Sequence, residues 1–321
     1  MEYRAFGRMG DQVAEVGFGT WGMGGWSGSD DEASRAALRR GLALGCNFLD
    51  TALAYGDGRS ERLIGGVLRD GTGAKPFIAT KVPPKNGRWP ARPEYPLEDV
   101  FPADYIRSVT ERSLEHLGVG CIDLQQFHVW TDAWAEDDRW QRTVADLKSE
   151  GLIRGVGISI NRWEPSNAIR ALRTGLIDAV QVVYNIFDQA PEDELFPVCQ
   201  ELGVAVIARV PFDEGSLTGT MTERDTWPQG DWRNIYFTPQ NLQATLARVA
   251  RLQDDVPAGM DLPELALRFI LHHPAVSTVI PGMRTQRHVE RNLAASDGRP
   301  FPAALLAAMR RHRWDRTTVI P

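Results

Sequence analysis

Short apolar runs alternate with segments of helical periodicity along the whole chain. Eight runs are rich in β-branched or aromatic side chains and are bounded by polar or glycine-containing segments, as buried strands are. These predicted strands cover residues 16–20, 46–50, 76–81, 122–128, 154–159, 179–184, 204–209 and 276–280.

Between the runs, apolar side chains recur every three to four residues, which predicts amphipathic helices. After Asp30, two acidic residues suit the positive end of a helix, and Gly45 suits its C-terminal cap. Three further helical patterns cover residues 63–68, 106–117 and 140–147, the last followed by Gly151.

Strands that alternate with helices indicate parallel strands joined by right-handed crossovers. Eight such units in 321 residues predict an α/β fold with one domain, residues 1–321, forming a closed (β/α)8 TIM barrel. The first 15 residues precede the barrel and predict a hairpin across its bottom. The long polar loops 83–103 and 213–239 both follow strands, so we expect them over the C-terminal face.

A competing interpretation comes from GFGTWG, Gly17 to Gly22, which matches GxGxxG after a strand. Asp50 ends the next strand, as the acidic residue of a dinucleotide-binding sheet does. However, GGWSGSDD separates these glycines from the next helical pattern, and the alternation continues through eight units. We therefore favour a first loop over the barrel mouth.

Composition narrows the possible partners. With a net charge of −6 and no basic face, the chain does not resemble a nucleic-acid binder. No apolar run approaches the ~20 residues that span a bilayer, so we expect no membrane partner. Cys46, Cys121 and Cys199 stand singly, without metal-ligand spacing, which predicts no metal site and free thiols in the cytoplasm. The oligomeric state is left open.

Charged and polar residues cluster where the predicted strands end. Strands two, three, four and seven end on Asp50, Lys81, His128 and Arg209, and a barrel of this type brings all four to one rim. Singly, each has a structural explanation, such as a helix cap or a core histidine. Together they indicate a catalytic site, because buried charges need partners. The same rim receives Ser159, Asn161, Gln181 and Tyr184.

These residues suit proton delivery to a carbonyl. A tyrosine has a pKa near ~10, and an adjacent ammonium is expected to lower it. Tyr55, in the glycine-rich turn after Asp50, is therefore the proposed acid, and Lys81 is the residue expected to lower its pKa. Asp50 would keep Lys81 charged, and His128 would orient the substrate oxygen.

The chain resembles the aldo-keto reductase family, in its long bacterial and potassium-channel β-subunit-like branch. The motifs that carry this likeness are GFGTW, GCNFLDTALAYGDGRSE, ATK, QQFH, GVGIS, PFDEGSLTG and IPGMRTQRHVERN. The resemblance implies a (β/α)8 barrel, NADPH-dependent reduction of aldehydes or ketones, and the tetrad Asp50, Tyr55, Lys81 and His128.

NADP(H) is the expected cofactor. Barrels often bind phosphate through the loops after strands seven and eight, and the second of these carries Arg284 and His288 near a predicted helix start at Thr285. Arg287 and Arg291 fit a solvated helix face equally well. The resemblance implies cofactor contacts from Thr20, Trp21, Asp50, Ser159, Asn161, Gln181, Arg209, Pro211, Phe212, Gly215, Ser216, Leu217, Ile280, Gly282, Met283, Arg284, His288 and Asn292.

The chain departs from the family pattern at three positions. Ile160 separates Ser159 from Asn161, where the family usually has adjacent residues. Arg209 occupies the position of the aromatic residue that stacks on the nicotinamide. Its charge should disfavour the oxidised nicotinamide relative to the reduced one. Arg291 replaces an acid near the adenosine.

Aromatic residues predict an apolar substrate pocket. Trp21, Trp89 and Trp130, together with Tyr55 and His128, are the expected substrate contacts, while Trp26 and Trp232 fit loop packing as well.

Two other functions stay open at this point. A Schiff-base enzyme would use Lys81 as nucleophile, and a regulatory protein would bind NADPH but turn over slowly. The substrate and the preferred direction of reaction are also open.

Overall fold

The structure, a computed structural model, describes residues 1–25, 28–71, 73 and 75–316. Its strands are β1 Tyr3–Ala5, β2 Gln12–Ala14, β3 Phe18–Gly19, β4 Phe48–Asp50, β5 Phe77–Val82, β6 Ile122–Phe127, β7 Ile153–Ser159, β8 Ala179–Val183, β9 Ala205–Arg209 and β10 Val276–Val279. Its α-helices are α1 Asp31–Ala43, α2 Arg59–Arg69, α3 Leu97–Val100, α4 Ala103–Leu117, α5 Asp138–Ser149, α6 Ile169–Arg173, α7 Leu195–Leu202, α8 Arg233–Tyr236, α9 Pro239–Gln253, α10 Leu262–His272, α11 Gln286–Leu293 and α12 Ala303–Arg310.

Strands β3 to β10 pair in parallel with their chain neighbours, which confirms the predicted order. Parallel bridges join Val16 to Val279 and Gly19 to Gly282, so the first and last strands meet and the barrel closes. A Cβ on Gly19 would lie 2.7 Å from the carbonyl oxygen of Ile280. This glycine therefore permits closure, and the dinucleotide-fingerprint alternative is wrong.

Local capping explains where helices begin and end. The Asp30 carboxylate accepts from the Ala33 N–H at the start of α1, and Gly45 follows its end with a φ of 92°. At the start of α11, the Thr285 hydroxyl accepts from the His288 N–H at 3.3 Å. Both predicted starts are confirmed.

The N-terminal hairpin closes the bottom of the barrel. Strands β1 and β2 pair antiparallel, and the chain between them buries Phe6 completely. The Phe6 ring centroid lies 5.5 Å from that of Phe48 and 4.8 Å from that of Phe77. Because these two phenylalanines begin β4 and β5, the hairpin covers the amino ends of the strands, as predicted.

Two long loops lie over the opposite face. The Asn161 side chain, just after β7, donates to the Ala91 carbonyl at 3.0 Å. Its neighbour Arg162 forms an ion pair with Glu214. Loops 83–103 and 213–239 therefore both contact the segment after β7, which places them at the C-terminal ends of the strands.

Among the described helices, none is long and apolar enough to cross a bilayer. The described residues contain no group of three or more His, Cys, Asp or Glu side chains arranged to hold a metal ion.

Candidate active site

A buried ion pair forms the centre of the site. Asp50 ends β4 and Lys81 lies near the end of β5, and their side chains are 2% and 0% exposed. Lys81 Nζ lies 2.6 Å from Asp50 Oδ1 and also donates to the Thr51 carbonyl at 2.7 Å. The ammonium is therefore fixed by two oxygen acceptors at the end of the neighbouring strand.

The turn after β4 brings Tyr55 back over this pair. Lys81 Nζ donates to the Tyr55 hydroxyl at 3.3 Å and lies 5.0 Å from the centre of its ring. The turn continues through Gly56, whose φ is 67° and where a Cβ would lie 2.0 Å from the Gly24 carbonyl oxygen. Only glycine fits there, because the turn packs directly against the backbone of the first loop.

His128 completes the group from the end of β6. The backbone N–H of His128 donates to the Val82 carbonyl at 3.0 Å, which continues the pairing of β6 with β5 beyond the last strand residue. The imidazole stands edge-on to the Tyr55 ring at 5.7 Å and to the Trp89 ring at 4.6 Å. Within the described part of the chain, its buried Nδ1 has no hydrogen-bond partner.

The pKa directions revise one expectation from the sequence. Burial raises the pKa of Tyr55 above 10.0, and the neighbouring Lys81 ammonium offsets this only in part. Burial also acts to lower the pKa of Lys81, but the Asp50 carboxylate and the Tyr55 phenol outweigh it and the pKa is raised. Lys81 therefore acts to lower the Tyr55 pKa, as predicted, but burial outweighs it and the net pKa is raised. At neutral pH the phenol stays protonated and the lysine charged.

His128 has the opposite tendency. Burial lowers the pKa of its imidazole well below 6.5, and the charges of Lys81 and Arg209 lower it further. The ring is neutral at physiological pH and can donate a hydrogen bond through one nitrogen without competing as an acid.

Two glutamines hold the other oxygen of the carboxylate. Gln181 Nε2 donates to Asp50 Oδ2 at 2.7 Å and Gln126 Nε2 at 3.3 Å. Gln126 was not predicted as a site residue. Gln126 lies two residues before His128, and alternate residues of a strand point to one face. This spacing could therefore have predicted it from the sequence.

The residues expected around the nicotinamide lie on the next strands. Ser159 pairs with Gln181 across β7 and β8, and both are buried. Asn161 is buried and also contacts the Glu164 carboxylate. Arg209 ends β9 and donates to the Ile160 carbonyl at 3.0 Å.

Arg209 remains a cation near the phenol. Burial lowers its pKa to about 10, with the nearby Arg162 charge acting in the same direction, so it is protonated at neutral pH. Its buried Nε has no hydrogen-bond partner among the described residues.

The first of the expected phosphate-binding loops is held by contacts of its own backbone. Asp213–Thr218 forms a 3-10 helix in which the Phe212 carbonyl accepts from the N–H groups of Gly215 and Leu217. Ser216 and Leu217 are buried, and Pro211 precedes them.

The segment after β10 carries the other set of expected cofactor residues. Ile280, Met283 and Asn292 are buried, whereas Gly282 is open around its Cα. The Arg284 side chain crosses the first loop, since a Cβ on Gly22 would lie 2.7 Å from its Cδ. Burial lowers the pKa of His288, and the charges of Arg284, Arg287 and Arg291 lower it further.

The first loop contributes Thr20 and Trp21. Thr20 is buried, and its N–H and hydroxyl donate to the Asp50 carbonyl at 3.0 and 2.8 Å. Trp21 is 42% exposed and Trp89 47% exposed. Trp26 lies outside the described residues.

Trp130 does not line the mouth. It is fully buried, and its ring packs against those of Phe127, Trp134 and Trp140. The expected substrate contact is corrected accordingly, because its backbone position just beyond His128 turns the side chain outward, toward the helix layer. Trp232 lies in loop 213–239 with its ring 6.1 Å from that of Tyr236.

Comparison with known proteins matches the chain to one family. The model of the Aldo/keto reductase family matches residues 15–313. The "NADH-specific methylglyoxal reductase" of Escherichia coli is 29% identical over 88% of this chain and 90% of its own length. The "Aldo-keto reductase yakc" of Schizosaccharomyces pombe, whose name specifies NADP(+), is 29% identical over 89% of this chain and 84% of its own.

The fold is also similar to a solved structure. The holo form of aldo-keto reductase AKR11C1 from Bacillus halodurans has a TM-score of 0.77 and 28% identity, covering 99% of this chain and 98% of that one.

Proposed function

This chain belongs to the aldo/keto reductase family, and we propose that it uses NADPH to reduce aldehydes or ketones to alcohols with Tyr55 as the proton donor. The observation that carries the proposal is the position of one ammonium group. Lys81 Nζ contacts both Asp50 Oδ1 at 2.6 Å and the Tyr55 hydroxyl at 3.3 Å. A protonated phenol beside a fixed cation is what proton transfer to a carbonyl oxygen needs.

The residues of the chain divide the work of the reaction. Tyr55 gives its proton to the carbonyl oxygen, and the Lys81 ammonium stabilises the phenolate that remains. Asp50 keeps Lys81 charged and in place. Neutral His128 donates a hydrogen bond that orients the same oxygen. Because burial holds its pKa well below 6.5, the imidazole does not compete with Tyr55 as the acid. When bound, NADPH supplies the hydride to the carbonyl carbon.

The site fits a dinucleotide phosphate. Ser159, Asn161, Gln181 and Arg209 would hold the nicotinamide, and buried Arg209 Nε has an unused donor in the described structure. Gly215, Ser216 and Leu217 would contact the diphosphate. The capped start of α11, with Arg284 and His288, would hold the adenosine phosphate.

The choice of NADPH over NADH rests on this chain's own charges, because the two similar reductases named above differ in cofactor. Burial lowers the pKa of His288, and the charges of Arg284, Arg287 and Arg291 around the start of α11 lower it further. A phosphate monoester suits these positive charges. Arg284→Ala should raise the KM for NADPH and leave that for NADH nearly unchanged; equal effects on both would contradict the assignment.

We propose flat or apolar carbonyl compounds as substrates. Trp21 and Trp89 are large, exposed aromatic side chains, and Trp89 packs against His128. Indole surfaces bind such molecules by apolar contact. A screen of aldehydes, ketones, quinones and sugars, read by loss of NADPH absorbance, would identify the class.

The main experiment repeats the active reaction with Tyr55→Phe. Loss of the donor should lower the turnover rate by about 100-fold or more, while the Kd for NADPH changes by less than about twofold. Tyr3→Phe is the matched control, because its hydroxyl donates to the Gly45 carbonyl at the bottom of the barrel. If Tyr55→Phe reduces the substrate at the wild-type rate, the assignment of the donor fails.

The two alternative functions can be tested with the same protein and the same substrate screen. A Schiff-base nucleophile needs a lysine of depressed pKa, whereas that of Lys81 is raised, so borohydride should trap no adduct. If the wild type binds NADPH but converts no carbonyl in the screen, the regulatory alternative is favoured.

We also propose a single domain over residues 1–321 and a cytoplasmic location. The domain proposal rests on a continuous buried core that joins the barrel strands to the surrounding helices. Cys46, Cys121 and Cys199 are free thiols, as in a reducing compartment. A stable proteolytic fragment would contradict the single domain. Recovery of the protein in an oxidising compartment would contradict the cytoplasmic location.

A further inference from the structure

A buried arginine near the C-terminus reaches the proposed cofactor loop. The Arg316 side chain is only 3% exposed. Its guanidinium lies over four aromatic rings, those of Trp163, Phe187, Tyr236 and Trp314, at 4.2 to 5.9 Å from their centres. We call these four rings the arginine cage. A cation over aromatic faces in a dry site is held by their electron density as well as by contact.

The charged partner of Arg316 belongs to the loop after β9. Arg316 Nη1 lies 2.9 Å from Asp213 Oδ1, and Nε lies 3.8 Å from Asp188 Oδ1. No guanidinium nitrogen is aligned for a hydrogen bond within the described residues, so the attraction is Coulombic. Asp213 is itself fully buried, and a buried carboxylate needs this counter-charge.

Asp213 organises the loop from within. Its carboxylate accepts from the Ser216 hydroxyl at 2.8 Å and from the Tyr236 hydroxyl at 2.5 Å. Asp213 and Glu214 both have positive φ values, 44° and 55°, which residues with side chains adopt only when their surroundings impose them. The contacts of Asp213 therefore hold a backbone that would otherwise relax.

This loop is the one to which the cofactor diphosphate is assigned above. We propose that Arg316 is a positioning residue, which holds Asp213 and thereby keeps loop 213–219 in the conformation that binds NADPH. The inference rests on the proposed function, because it needs NADPH as the ligand. Arg316 acts on cofactor affinity and leaves the proton-transfer group at Lys81 untouched.

The test measures NADPH binding and hydride transfer separately. Fluorescence titration with NADPH gives the Kd, and single-turnover mixing at saturating NADPH gives the transfer rate. For Arg316→Gln we expect the Kd to rise by about tenfold, as it would if the loop were competent one tenth of the time. The transfer rate should stay within about twofold of the wild type, and Arg316→Lys should recover part of the affinity.

Arg313→Gln is the matched control on the same segment. Arg313 pairs with Asp193 at 2.6 Å and with Asp315 at 2.7 Å, neither of which lies in the cofactor loop, and its loss should leave the Kd unchanged. Asp213→Asn removes the other half of the buried pair and should raise the Kd by a similar factor. Adding Arg316→Gln to it should then raise the Kd little further, because the pair is already broken.

The outcomes are distinct. If wild type does not bind NADPH, the proposed function fails before this inference is reached. If wild type binds NADPH and Arg316→Gln binds it equally well, Arg316 is only structural and the inference is overturned. Should Arg316→Gln fail to fold, Asp213→Asn decides alone, since an unchanged Kd in that variant also overturns it.

Discussion

Removing the charge of Asp50 should leave an uncompensated cation in the barrel. In Asp50→Asn, Lys81 keeps its place but loses the carboxylate that lies 2.6 Å from Nζ. The amide also cannot serve both sides, since Lys81 donates to one oxygen and Gln181 and Gln126 donate to the other. Breaking one side of a buried pair costs about 3–5 kcal/mol of stability.

An independent limit gives the same scale and a pH signature. The folded variant can avoid the buried charge by releasing the Lys81 proton. This costs about 1.4 kcal/mol for each unit by which the pH lies below the ordinary pKa of lysine. From 10.5 down to pH 7, that limit is about 5 kcal/mol. In the variant the unfolded chain then binds more protons than the folded one, so stability rises with pH. In the wild type the Lys81 pKa is raised, so this group adds no pH dependence below 10.5.

Urea unfolding at several pH values measures both quantities. The deficit of Asp50→Asn should be about 3–5 kcal/mol near pH 7 and shrink toward pH 10 by about 1.4 kcal/mol per unit. Adding Lys81→Met should remove the pH dependence and restore much of the stability. Asp70→Asn breaks an exposed ion pair with Arg39 and should cost less than about 1 kcal/mol. A small, pH-independent deficit in Asp50→Asn would refute the reasoning.

Three further predictions follow from the same geometry. Arg209→Tyr removes a cation from the proposed nicotinamide site, so NADP+ should bind more tightly relative to NADPH. An unchanged ratio of the two Kd values would show that the Arg209 charge does not disfavour the oxidised cofactor. Burial holds the His128 pKa well below 6.5, so wild-type stability should fall as pH drops below 6.5 by up to about 1.4 kcal/mol per unit, whereas His128→Gln should lack this component in urea unfolding. Gly56→Ala puts a Cβ 2.0 Å from the Gly24 carbonyl oxygen and should displace Tyr55, lowering both Tm and turnover. Gly71 also has a positive φ, and no described residue lies within 4 Å of the position of its Cβ, so the smaller Tm loss of Gly71→Ala would measure the backbone contribution.

Much of the site was predictable because barrel topology converts sequence order into spatial order. Asp50, Lys81 and His128 lie at or beside the ends of consecutive strands, and parallel pairing brings consecutive strand ends together. Helix boundaries such as Asp30 and Thr285 were predictable because a cap depends on a few neighbouring residues.

Other features needed the direction and depth of each side chain. Trp130 was expected at the mouth because it follows His128, but its ring turns into the aromatic core. The Tyr55 pKa was expected to fall because Lys81 is adjacent, but the cost of desolvating a phenolate exceeds that attraction.

The amino-acid sequence by itself determined the order of strands and helices, the closed barrel and the residues delivered to its rim. These follow from periodicity and capping, which are local, and from a topology that has one handedness. Only the tertiary structure decided that Gln126 and Gln181 share Asp50 with Lys81 and that Arg316 reaches Asp213. Such contacts join residues up to 131 positions apart, so they depend on the packing of the whole chain.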